Sequence, residues 1–181
     1  MVIGIVGADN RAVTIARQLR RCGHAVSFSD PNGIDHAEKA VAALADPGVS
    51  AQTPYNQAAT SEMLILAIHW EDMNRTLTQL GDYKDGVVVD TMRPPKIPGA
   101  ENTAQTLEKK LDNRHVVKAF VEEPEPNAEV KVASDDPEAR AMVIELVNAC
   151  GGKAIDVGPL SEATHIERAF HDETRAIRGT V

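Results

Sequence analysis

The chain has 181 residues, of which 43% are hydrophobic and 25% charged, values that describe one globular domain spanning 1–181 with a substantial core. Its formal net charge of -8, the lack of a basic stripe and a set of only one Trp, two Tyr and three Phe argue against nucleic acid as a partner. No apolar run approaches the ~20 residues of a membrane span, and the short apolar start leads into a glycine turn rather than a secretory signal, so a cytoplasmic protein with no membrane partner is expected.

Strands and helices alternate along the chain. Val2 to Val6 reads as a buried strand, followed at once by Gly7-Ala8-Asp9-Asn10-Arg11-Ala12. A helix is expected from about Asn10 to Arg21, with Val13, Ile15, Ala16 and Leu19 inward and Gly23 ending it. Ala25 to Ser29 is the second strand. Ile34 to Ala45 is a helix with Ile34, Ala37, Val41 and Leu44 on one face. A short strand at Val49 to Gln52 and a helical turn at Asn56 to Thr60 lead to Met63 to Ile68, whose unbroken apolar character marks a central strand. A helix starts near Trp70, with Met73, Leu77 and Leu80 inward.

Val87 to Val89 is the fifth strand, Ala104 to Leu111 a helix and Val116 to Phe120 the sixth strand. Glu122 to Asn127 reads as an extended loop. Glu129 to Ala133 alternates like a strand with one wet face. Asp136 and Pro137 open a helix as cap and first residue, which ends at Gly151-Gly152. Ala154 to Val157 is the last strand. Ser161 to Ile177 is an amphipathic helix whose Ala163, Ile166, Phe170 and Ile177 suit either packing on the sheet or a homodimer. The pattern predicts an α/β fold, a Rossmann-like doubly wound, mostly parallel sheet of about eight strands flanked by helices.

The first turn has the frame Gly-x-Gly-x-x-Gly, which seats a dinucleotide pyrophosphate. Only Gly7 is intact. Asp9 stands at the second glycine and Ala12 at the third. One extra methyl is a mild change, but Asp9 brings bulk and charge toward a dianion. Two like charges ~5 Å apart at an effective dielectric of ~20 repel by roughly 3 kcal/mol, about two decades in affinity. Arg11 and the helix N-terminus offset part of this. Asp9 can also accept hydrogen bonds from a ligand, or simply cap the helix with no dinucleotide bound.

In open parallel sheets, ligands sit at the carboxyl ends of the strands. The expected cofactor contacts are therefore Gly7, Ala8, Asp9, Asn10, Arg11, Asp30, Ile68, His69, Met92 and Arg93. Asp30 is placed to hold the adenosine ribose hydroxyls and has no arginine after it, which favours NAD over NADP; Asp-Pro-Asn-Gly is equally good turn chemistry. His69, at the mouth of the sheet, is the candidate catalytic acid or base, or a strand-end residue that meets solvent. Arg93 clamps an anion or lies on a solvated loop. His165 and His171 do not share a helix face, and Cys22 and Cys150 lie far apart in sequence without metal spacing, so free thiols and no metal site are expected. No serine or cysteine nucleophile has a recognisable setting.

Four segments then resemble a known family, the NADP oxidoreductases related to coenzyme F420-dependent NADP reductase. They are Leu64-Ile65-Leu66-Ala67-Ile68-His69-Trp70-Glu71, Val87-Val88-Val89-Asp90-Thr91-Met92-Arg93-Pro94, Val116-Val117-Lys118-Ala119-Phe120, and Asp156-Val157-Gly158-Pro159-Leu160-Ser161 with Glu167 beyond. The resemblance implies a nicotinamide cofactor along the strand ends, with a deazaflavin stacked on it and direct hydride transfer. Such chemistry needs orientation and exclusion of water more than an acid or base. The chain departs from the family pattern at Asp9, at Asp30-Pro31-Asn32 (where a phosphate-binding Ser-Arg-Arg type of segment is usual), at His69 in place of proline, and at Val121-Glu122 in place of Asn-Thr.

The leading expectation is an oxidoreductase using NAD or NADP with a small-molecule redox partner. The rival is a non-catalytic Rossmann-like protein that binds another ligand or a protein. An imine or hydroxy-acid reductase is a third reading, though such enzymes commonly add a helical domain.

Overall fold

The computed structural model describes residues 1–94, 101–122 and 127–169. Eight strands form one sheet: β1 (Val2–Val6), β2 (Ala25–Ser29), β3 (Val49–Ala51), β4 (Met63–Leu66), β5 (Val87–Asp90), β6 (Val116–Lys118), β7 (Glu129–Ala133) and β8 (Lys153–Gly158). Their order is β3-β2-β1-β4-β5-β6-β7-β8. The first six run parallel, β7 reverses against β6, and β8 runs parallel to β7. The expected doubly wound, mostly parallel sheet is what forms. The strand order changes direction between β1 and β4.

The helices are α1 (Asn10–Arg21), α2 (Ile34–Leu44), α3 (Pro54–Thr60), α4 (Met73–Leu80), α5 (Thr103–Leu111) and α6 (Pro137–Ala149). Two apolar layers flank the sheet. Met63 and Ile65 point to the side of α1, α2 and α6, where Ile15, Leu19, Ala37, Val143 and Leu146 close the core. Leu64 and Leu66 point to the side of α4 and α5, where Met73, Leu80, Ala104 and Leu107 close it. A strand apolar on both faces is the physical content of the unbroken Met63–Leu66 run.

Several boundaries differ from expectation for local reasons. Thr53 caps α3, accepting from Asn56 N, with Pro54 in the first turn, so that helix begins two residues early. The region after β4 opens with a 3₁₀ turn at Trp70–Asp72 before α4. β6 stops at Lys118, ahead of Phe120 with its positive φ of 51°. Ile34, expected inward, is 39% exposed on the first turn of α2. The last helix begins with a 3₁₀ turn at Leu160–Glu162 and is helical over 163–169. Phe170, His171, Ile177 and most of the Glu122–Asn127 loop lie outside the described residues.

Two buried polar clusters were not anticipated. Gln57 of α3 is fully buried; its Nε2 donates to Ser27 O at 2.8 Å and Ile5 O at 3.3 Å, and its Oε1 accepts from Ser29 Oγ at 2.6 Å. A Cβ at Gly4 would stand 2.6 Å from Gln57 Cγ, so the bare backbone of β1 makes room for this amide.

Lys118, at the end of β6, is also fully buried. Its ammonium lies 3.0 Å from Asp90 Oδ2, 2.8 Å from Glu167 Oε1, 2.6 Å from Thr103 Oγ1 and 2.8 Å from Met92 O. One cation thereby joins β5, β6, α5 and the last helical segment. Replacing Lys118 with alanine would leave two buried carboxylates without their counter-charge. The expected cost is about 3–5 kcal/mol, measurable as a lowered denaturation midpoint in urea; a loss below ~1 kcal/mol would mean that the network is not a determinant of stability.

Candidate functional site

The site begins with a backbone contact. Gly7 leaves β1 with φ of 112°, and its N–H donates to Ser29 O at 2.8 Å. A Cβ there would lie 2.1 Å from the Ala67 carbonyl oxygen. Only glycine tolerates both the dihedral and the approach. The turn thus lies against the end of β4, where the sheet order reverses.

A cleft of about 220 Å³ opens at this point. Gly7, Ala8 and Asp9 form one wall, Asp30, Pro31 and Asn32 with His36 of α2 a second, and Ala67, Ile68, His69 and Asp72 the third. Asp30 is only 7% exposed. One of its oxygens accepts from Asn32 N at 2.8 Å, which braces the loop after β2. Arg75 of α4 bridges the rim, donating to Asn32 Oδ1 at 2.8 Å and Asp72 Oδ1 at 2.6 Å. Gln79 Nε2 adds a bond to Pro31 O at 3.2 Å.

Asp9 is the N-cap of α1. Its Oδ1 accepts from Ala12 N at 2.8 Å. One of the helix's first amides, a natural donor to a ligand anion, is therefore already taken by the chain's own carboxylate. Arg11 lies 3.8 Å from Asp9 Oδ2 and offsets part of the charge. Its guanidinium is buried and donates to Thr91 O at 2.6 Å, tying α1 to the end of β5.

The expected site residues therefore divide. Gly7, Ala8, Asp9, Asp30, Ile68 and His69 come together in one cleft. Asn10 is exposed on the first turn of α1 and Arg11 turns under the sheet mouth; neither lines the cleft. Met92 is fully buried among the residues of the α4–α5 side, so its side chain packs in the core and does not reach the cleft. Arg93 Nε donates to Val121 O, closing β5 onto the segment after β6. Asn32, His36 and Asp72 line the cleft without having been singled out. The strand-end rule followed the residues directly after each strand, whereas His36 comes from α2 and Asp72 from the 3₁₀ turn beyond His69. Among the described residues no cluster of three or more His, Cys, Asp or Glu could hold a metal ion, and no helix is long and apolar enough to cross a membrane.

Residues 2–94, which carry the Gly7 turn and three walls of this cleft, match the family model described as NADP oxidoreductase, coenzyme F420-dependent. The chain belongs to that family. A candidate F420-dependent NADP-reductase from Arthrobacter sp. FB24 shares its fold with a TM-score of 0.84 at 19% identity, over 98% of this chain and 94% of the other. An imine reductase from Myxococcus stipitatus, solved with NAD+, superposes with a TM-score of 0.75 at 12% identity over 99% of this chain and 62% of that one. A reductive aminase from Aspergillus terreus, solved with NADPH, gives 0.76 at 16% identity over 98% and 62%. The fold of this family member is thus that of NAD(P)-dependent reductases, and it spans about three-fifths of the length of those two enzymes.

Two stability predictions follow from the cleft walls. Gly7→Ala should cost at least ~3 kcal/mol from backbone strain and the Ala67 contact. Asp9→Ala should cost about 1 kcal/mol, the value of a lost cap. Chemical denaturation reads both; a Gly7→Ala variant as stable as the parent would refute the close approach.

Proposed function

We propose that this chain is an oxidoreductase that transfers hydride between a nicotinamide dinucleotide and a small redox partner, with a deazaflavin of the F420 type as the leading candidate. The observation that carries the reading is the convergence of Gly7-Ala8, Asp30 and Ile68-His69 in one cleft at the point where the sheet order reverses. The cleft suits the nucleoside part of such a cofactor. Asp30 has a second oxygen to accept from ribose hydroxyls, and the Gly7–Ala8 main chain can be approached closely. Because a carboxylate faces the position of a 2′-phosphate, NAD is favoured over NADP.

The bound dinucleotide would supply the hydride. The chain's own part is to orient and to exclude water. Ile68, 4% exposed, gives the cleft an apolar wall. His69, next to it on the same wall, is exposed and is the candidate acid or base.

One observation favours a second reading. Asp9 already holds the Ala12 amide, so the seat of a pyrophosphate is partly filled by a carboxylate. In that reading the protein is non-catalytic and its cleft takes a ligand without phosphate.

Calorimetric titration with NAD, NADP and their reduced forms separates the two. The first reading expects saturable micromolar binding, with NAD the tighter. Asp9→Gly should strengthen it about tenfold or more. No binding by either protein up to millimolar would overturn the first reading. His69→Ala should lose turnover and keep dinucleotide affinity; full activity would remove the proton-transfer role.

A further inference from the structure

The rim of the cleft carries a cation that the Gly7 turn and Asp30 leave without a role. Arg75 and Gln79 lie four positions apart on α4 and so share a face. Both reach the loop after β2. Arg75 Nη2 donates to Asn32 Oδ1 at 2.8 Å, and Gln79 Nε2 donates to Pro31 O at 3.2 Å. The same Nη2 donates to Asp72 Oδ1 at 2.6 Å. Asn32 and Asp72 belong to two different walls of the cleft, so the guanidinium bridges them. Asn32 N is in turn held by Asp30 Oδ1 at 2.8 Å. The cation therefore stands one residue away from the carboxylate proposed to accept ribose hydroxyls.

A guanidinium carries all its N–H donors in one plane. Partners bound at its edge tether that plane and do not cover its faces. Arg75 is tethered in this way through Nη2, its Nε and Nη1 have no hydrogen-bond partner among the described residues, and its side chain is 46% exposed. The cleft walls hold no Phe, Tyr or Trp. His36 and His69 are the rings that line it, and among the described residues no hydrogen bond fixes either imidazole. A flat ring entering at this end of the cleft thus meets Arg75 as the planar group already held in place.

We propose that Arg75 is the platform for a purine base, which makes the outer end of the cleft a seat for an adenine nucleoside. The proposal deepens the dinucleotide reading and rests on it for the placing of the ribose at Asp30. The guanidinium stacks on the face of the base, a contact that joins cation–π attraction to the match of two flat surfaces. Asp72 and Asn32 hold the guanidinium for this contact, and Asp30 takes the sugar hydroxyls. A nucleoside has no phosphate, so the Asp9 carboxylate at the pyrophosphate seat does not oppose it.

The test titrates the isotope-labelled full chain with adenosine, and with ribose as the control that lacks a base. Adenosine should bind saturably, and the ring current of its base should move the Arg75 Nε–H resonance upfield; ribose should leave that resonance in place. Arg75→Ala should weaken adenosine roughly three- to thirtyfold. Arg75→Lys should recover little of the loss, because it keeps the charge and discards the plane. Gln79→Ala removes only the neighbouring tie to the loop and should hold the affinity within about twofold. No saturable adenosine binding, an Arg75→Ala protein that binds as the parent does, full rescue by lysine, or an equal loss in Gln79→Ala would each overturn the proposal. Adenosine binding with the expected signature but no NAD binding would uphold the seat and remove the oxidoreductase reading. NAD binding indifferent to Arg75→Ala would uphold that reading and overturn the seat.

Discussion

The mouth of the sheet depends on the backbone of Gly7 lying against the Ala67 carbonyl. No side chain fits between them, and the dihedral there is one that other residues adopt only under strain. From these two strand ends the chain leaves onto opposite faces of the sheet, toward α1 on one side and the 3₁₀ turn at Trp70 on the other. The cleft between these exits is a consequence of topology. What it can hold is decided by the few side chains that later turn into it.

Charge makes that decision. Asp9, Asp30 and Asp72 line the cleft; Arg11 offsets Asp9 from beneath, and Arg75 offsets Asp72 at the rim. Acceptors for hydroxyl groups are abundant, while the donor expected for a phosphate is partly engaged by the protein itself. Elsewhere the fold handles charge differently. Lys118 is taken wholly out of water and surrounded by Asp90, Glu167, Thr103 and a carbonyl, a geometry that holds the C-terminal segments to the sheet. The first arrangement is open to ligands; the second is sealed and structural.

Periodicity made most of the scaffold legible. Apolar runs marked β1, β4 and β5, and helical spacing marked α1 and α2, because burial on a strand or helix face leaves a repeat in the sequence. The Gly-x-x frame and the strand-end rule located Gly7, Asp30 and His69. Direction of side chains was not legible in the same way. Met92 and Arg93 are adjacent in sequence, yet one is core and the other crosses to Val121. Gln57 and Lys118 sit inside segments whose patterns say only helix or strand, and their partners come from distant elements.

The central claim is that the cleft joining Gly7, Asp30 and His69 is the seat of a nicotinamide dinucleotide. Backbone amide spectra of isotope-labelled protein, recorded while NAD is added, test it most directly. Binding there should move the amides of Ala8, Asp9, Asp30, Asn32, Ile68 and His69 along saturating curves and leave remote amides such as Asn113 and Gly152 in place. Saturation that moves other residues while these stay fixed, or no movement at millimolar NAD, would contradict it.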